Sequence, residues 1–98
     1  AVGTAVASKA VILDSNKDYT GIRNFTITGK STASAGASVK NGDTSAGFIE
    51  FFEDSDNGTN KVTLIGPAST ADVTLTLPAA AGIVATTDDA TALAIALG

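Results

Sequence analysis

Histidine, cysteine, methionine and tryptophan are all missing from this 98-residue chain. Without histidine it lacks the commonest acid–base group and the commonest transition-metal ligand. Without cysteine it has no disulfide framework, no thiolate zinc site and no sulfur nucleophile. Bulky side chains are scarce as well: the large aliphatics and phenylalanine make up about a quarter of the residues, and Tyr19 is the one tyrosine. A chain this long normally needs bulky groups to offset the entropy of ordering its backbone. Ala, Gly, Thr and Ser instead fill about half of it, and a buried alanine removes little area from water at about 25 cal/mol per Å². The chain is therefore poorly supplied for a core of its own. It must stay partly extended or share a core with identical copies, and its wealth of β-branched residues favours sharing.

Other absences narrow the function. The net charge is −4 and is spread along the chain, which argues against nucleic-acid binding, since phosphates are met by clustered Lys and Arg. No run of about 18 apolar residues exists to span a membrane as a helix. The opening Ala1-Val-Gly-Thr4 lacks the basic region and long apolar core of a signal peptide. A start without methionine and an end at Gly98 suggest processing, or a segment of a longer polypeptide. The length allows one domain at most.

What is present centres on a stretch that says nearly the same thing twice. Lys61-Val-Thr-Leu-Ile-Gly-Pro-Ala68 is followed by Asp72-Val-Thr-Leu-Thr-Leu-Pro-Ala79. Strand side chains alternate with period two, so Val62 and Leu64 share a face, as do Val73, Leu75 and Leu77. Pro67 and Pro78 lack the N–H that a ladder needs and mark the strand ends. The linker 66–71 suits a loop between antiparallel strands, so the two copies are expected to form a hairpin.

The whole chain, 1–98, reads as a single β-rich segment. Residues 1–8 are an extended lead-in. A first β region covers 9–29: Lys9–Leu13 is a short strand, Asp14-Ser-Asn-Lys-Asp18 is turn chemistry, and Tyr19–Gly29 is a strand with Phe25 and Ile27 on its apolar face. Residues 30–46, rich in Gly, Ser and Ala, are a long loop, a flexible arm, or thin strands completed by neighbouring subunits. The main β region is 47–87. It holds Gly47–Glu53, a strand expected to be covered on both sides; the polar turn 54–60; the repeated stretch; and a short strand at Ile83–Thr86. In 88–98, an N-cap and acids at Thr87-Asp-Asp89 and the i, i+4 pair Leu93 and Leu97 fit a short helix, with one more strand as the alternative. Ile49, Phe51, Phe52, Val62, Leu64, Leu75 and Leu77 form the expected oligomer core.

Candidate chemistry is thin. Asp54-Ser-Asp-Asn-Gly58 invites a calcium loop, yet with Gly58 sixth the twelfth position is Leu64, which cannot ligate. A solvated turn is the better reading, and Asp88-Asp89 needs no metal at a helix N-terminus. Glu50 and Glu53 have opposite strand parity and cannot flank one bond. No His or Cys activates a serine or threonine. The Gly-rich stretch 29–47 lacks the Gly-Lys-Ser/Thr ending of a phosphate cradle. Asn24-Phe-Thr26 and Asn57-Gly-Thr59 match the glycosylation acceptor pattern. No enzyme activity, cofactor or metal is expected.

Three of these stretches resemble a known group of sequences. Ser8-Lys-Ala-Val-Ile-Leu-Asp-Ser-Asn-Lys-Asp18, with Gly21-Ile-Arg-Asn-Phe-Thr-Ile-Thr-Gly29, is similar to a segment of tailed-phage virion fibre and decoration proteins. Phe48–Asp56 with Val62–Ala68 resembles a second segment, a short strand and an Asp/Asn turn before a strand ending in proline and alanine. Val73-Thr-Leu-Thr-Leu-Pro-Ala-Ala-Ala-Gly-Ile-Val-Ala-Thr-Thr87 resembles a segment common in phage tail-fibre chains. Together they cover roughly two thirds of the sequence, in the same order. The resemblance implies a β-rich, non-enzymatic part of a virus particle, usually trimeric, whose partners are itself and other capsid, neck or tail proteins. The receptor-binding tip of long members has no counterpart here, so receptor binding is not carried over.

The expected fold is mainly β: short strands and hairpins in an intertwined homotrimeric fibre or β-prism-like assembly, with the C-terminal segment a short helix or a further strand. The expected role is structural, on the surface of a phage particle, with no nucleic acid bound and no membrane insertion. The competing readings are a carbohydrate-binding β-sandwich adhesion module, for which one tyrosine and four phenylalanines supply few aromatics, and a repeat subunit of an extracellular bacterial filament.

Overall fold

The computed structural model describes residue 7 and residues 11–98. The chain divides into two units, Ala1–Ser38 and Val39–Gly98.

In the first unit the organising feature is the turn at Asp14. Its carboxylate Oδ1 accepts from the backbone N–H groups of Asn16 at 2.9 Å and Asp18 at 2.8 Å. The Lys17 N–H donates to the Asp14 carbonyl at 2.9 Å, and the Asp14 N–H donates to the Asp18 carbonyl at 3.1 Å. Lys17 takes a positive φ of 68°. This is the three-residue hairpin loop, a tight turn followed by one left-handed residue. The arms of that hairpin are not strands. Residues 11–13 and 19–29 carry no ladder, which corrects the two strands expected there; Lys9 and Ala10, and the lead-in apart from Ala7, lie outside the described residues. The Asp14 side chain takes the Asp18 N–H that a ladder would have used, so the turn closes without needing its arms.

The second unit holds a two-stranded antiparallel sheet and a helix. Strand β1 is Phe48–Phe52 and strand β2 is Lys61–Ile65. Their register pairs Phe48 with Ile65, Ile49 with Leu64, Glu50 with Thr63, Phe51 with Val62 and Phe52 with Lys61. One further bond, from the Gly66 N–H to the Gly47 carbonyl at 3.1 Å, extends the ladder. At that end the backbone of Val39 passes against Gly47 so closely that a Cβ on residue 47 would collide with the Val39 carbonyl. Residues 30–46 hold no strand or helix.

At its other end the sheet is closed by the loop 53–60. The Glu53 N–H donates to the Asn60 carbonyl at 2.9 Å, and the Asn60 N–H donates to the Glu53 carboxylate at 3.1 Å. Asp54 repeats the device of Asp14: its Oδ1 accepts from the Asp56 N–H at 3.1 Å and its carbonyl from the Asn57 N–H at 2.8 Å. Gly58 has φ 142°, and a Cβ there would stand 2.5 Å from the Glu53 carboxylate. Gly58→Ala is therefore expected to open the loop, at a cost of about 1–3 kcal/mol for the strained backbone, read as loss of the cross-loop NMR contacts between Glu53 and Asn60.

The pairing corrects the expected hairpin. Strand β2 pairs with β1, not with its own repeat, and Asp72–Leu77 forms no strand; neither does Ile83–Thr86. Both candidate mates satisfy the alternation of β2. The Asp54–Asn60 turn is closed by the side chains of Asp54 and Glu53, and this favours β1.

The helix α1 runs Thr87–Leu97, as the helical option expected, but begins one residue earlier. Thr86 is the N-cap: its hydroxyl accepts from the Asp89 N–H at 3.2 Å and its own N–H donates to the Asp89 carboxylate at 3.0 Å. This reciprocal pair is a capping box. Asp88 and Asp89 sit in the first turn, where acids complement the helix dipole. The Thr86 N–H, then the Thr86 hydroxyl, hold the Asp89 carboxyl below its ordinary value. A depressed native carboxyl contributes stability above its unfolded value and loses it as pH falls through the native one. Helix content is thus expected to drop as pH falls below about 4, with Asp89→Asn flattening that loss in circular dichroism.

Candidate self-association surface

Every Val, Ile, Leu, Phe and Tyr among the described residues is exposed, and none of those residues is buried. The two strands of the sheet show how that exposure is organised. Side chains opposite one another across an antiparallel pair share a face. One face carries Ile49 and Phe51 from β1 with Val62 and Leu64 from β2, and nothing polar between them. Gly47 and Gly66 bound it at one end, Glu53 and Asn60 at the other. Exposures run from 45% at Ile49 to 70% at Val62. Four apolar side chains side by side in water are a surface that gains by being covered.

The opposite face is mixed. Phe48 and Ile65 pair at one end. At the other, the Lys61 ammonium forms an ion pair with Glu50 and lies 5.6 Å from the centre of the Phe52 ring. An exposed pair of this kind is worth about 0–1 kcal/mol. Its more useful effect is to mark this face as the wetter one. Gly47–Glu53 was expected to be covered on both faces; within one copy it is covered on neither.

Of the seven residues expected to form an oligomer core, the structure brings four together, Ile49, Phe51, Val62 and Leu64. Phe52 lies on the opposite face. Leu75 and Leu77 lie in the unpaired stretch after β2, 91% and 79% exposed. Phe48 and Ile65 were not in the expected set, although their position on a facing pair follows from the register. On α1, Leu93, Ile95 and Leu97 are exposed as well, and the helix makes no packing contact with the sheet.

Five of the ten carboxylates are engaged in local bonds. Asp14 and Asp54 accept from their own downstream backbones, Glu53 closes the loop, Glu50 meets Lys61 and Asp89 caps α1. Glu50 and Glu53 differ in parity and serve different ends. Among the described residues no helix is long and apolar enough to cross a membrane.

Comparison of the chain with protein-family models, with curated proteins and with solved structures finds no match.

Proposed function

We propose that this chain is a structural subunit of a tailed-bacteriophage particle, assembling with itself as a trimer into a fibre or a surface decoration. Its partners are its own copies and the capsid, neck or tail proteins that anchor them. Its work is mechanical: it binds no nucleic acid and turns over no substrate.

The observation that carries this reading is the lack of any buried residue in a described chain that nonetheless holds a local sheet and a capped helix. An isolated two-stranded sheet is marginal in water, and isolated helices shorter than about 12–15 residues are marginal too. Both elements gain their missing stability if apolar faces from several copies meet. The particle surface as the site of that assembly rests on the resemblance of the three segments.

Sedimentation equilibrium at micromolar concentration tests the assembly, with three copies of the 9.6 kDa chain as the expected mass. Gold-labelled antibody against the chain tests the location and is expected to decorate purified particles. A compact, cooperatively folding single copy, or particles that stay unlabelled, overturns the corresponding half.

A further inference from the structure

Strand β2 has β1 on one side and, among the described residues, no strand on the other. Its outer N–H and C=O groups form a template for a further strand. The stretch Asp72–Leu77 is shaped for such a place. It repeats the start of β2, with Asp72-Val-Thr-Leu for Lys61-Val-Thr-Leu, and each copy meets a proline at the same distance, Pro67 and Pro78. Val73, Leu75 and Leu77 are 78%, 91% and 79% exposed. Among the described residues no backbone hydrogen bond reaches this stretch.

We infer that Asp72–Leu77 of one copy adds to the free edge of β2 in the next copy as a parallel strand, in the register that sets Asp72 beside Lys61. The inference rests on the shared-core reading and says how the sharing is done. Side-chain parity agrees with it: Val73 falls beside Val62 and Leu75 beside Leu64, which adds a third row to the apolar face of Ile49 and Phe51. Charge agrees as well, because opposite signs stand on neighbouring strands. A fold-back within one copy would keep the parity but set Asp72 beside Ile65 and Lys61 beside Thr76. The two prolines come level, so neither strand runs past the ladder with a missing donor.

Chain length decides where the strand comes from. Parallel strands of one chain need a crossover of about a dozen residues or more, and only Gly66–Ala71 lie between these two stretches. A parallel mate is therefore another copy. Donor and acceptor are different surfaces, so the contact is head-to-tail, and such contacts close into a ring when the rotation between copies permits.

The chain has no cysteine, so engineered thiols report without background. A Lys61→Cys chain is mixed with a separate Asp72→Cys chain, refolded together and oxidised; each variant alone is sedimented to confirm that it still assembles. The expected product is the mixed disulfide, formed in preference to either like pair. The Lys61→Cys/Asp72→Cys double variant is expected to run as covalent multimers. A Lys61→Cys/Thr76→Cys chain that closes on itself would overturn the inference in favour of the fold-back. So would an assembly that sediments as an oligomer yet forms no Lys61–Asp72 cross-link; the shared core would then stand without this strand. A chain that sediments as single copies would remove both.

Discussion

Phe51→Asp is expected to leave single copies in place of the assembly. Phe51 sits between Ile49 and the end of β1, directly opposite Val62, on the wholly apolar face of the sheet. Fully burying a phenylalanine stabilises by about 1.5–3 kcal/mol, and an aspartate in its place brings a carboxylate that must be stripped of water with no partner. Taking the lower end of that range in each of three copies, assembly weakens by about 5 kcal/mol, or more than about a thousandfold in its equilibrium constant. Sedimentation velocity reads the result directly. Thr63→Lys, on the wetter face of the same hairpin and opposite Glu50, serves as the control and is expected to change the mass little. A Phe51→Asp chain that sediments like the parent would show that this face is not where the copies meet.

Dilution is expected to act almost as strongly as that substitution. A private core gives a melting temperature independent of concentration, whereas a core completed by neighbours gives one that rises with it. Over a hundredfold dilution the strand and helix signals in circular dichroism are expected to fall together. The helix should follow the sheet because eleven residues sit below the length at which a helix holds alone in water. A sharp transition at the same temperature across that range would contradict the shared core outright.

Much of the local structure is legible in residue patterns. The alternation of Gly47–Glu53 and Lys61–Ile65 places each side chain on the face where the register puts it. The Asp-rich stretches at 14–18 and 54–60 are turns because aspartate bonds its own downstream backbone, an interaction that needs no distant partner. The helical option at the C-terminus is marked by Asp88, Asp89 and the alanines that follow, with a further strand as the alternative; the structure takes the helix and caps it with Thr86, one residue before the expected Thr87. Pairing was the harder question. Alternation says which way a side chain points and nothing about which strand lies alongside, so the repeat at 72–77 looked as good a mate for β2 as Phe48–Phe52. The strands expected at 11–13, 19–29 and 83–86 have the composition of strands but no neighbour within the described chain, and extended backbone becomes sheet only where its hydrogen bonds are returned. The same reasoning explains why four of the expected core residues converge and Leu75 and Leu77 do not: the four are joined by a turn that closes locally.

The turns at Asp14 and Asp54 have a consequence for the order of events in maturation. Each is stitched by contacts only a few positions apart, and closures of that span take nanoseconds to microseconds. In the proposed assembly, a newly made chain thus acquires its two bends before it meets another copy. A chain bent at fixed points would offer its copies a narrower choice of alignments, and a mismatched encounter could separate without first undoing the bends. If the proposed assembly holds, the slow stage is the meeting of molecules, and its pace is set by how many are made at once.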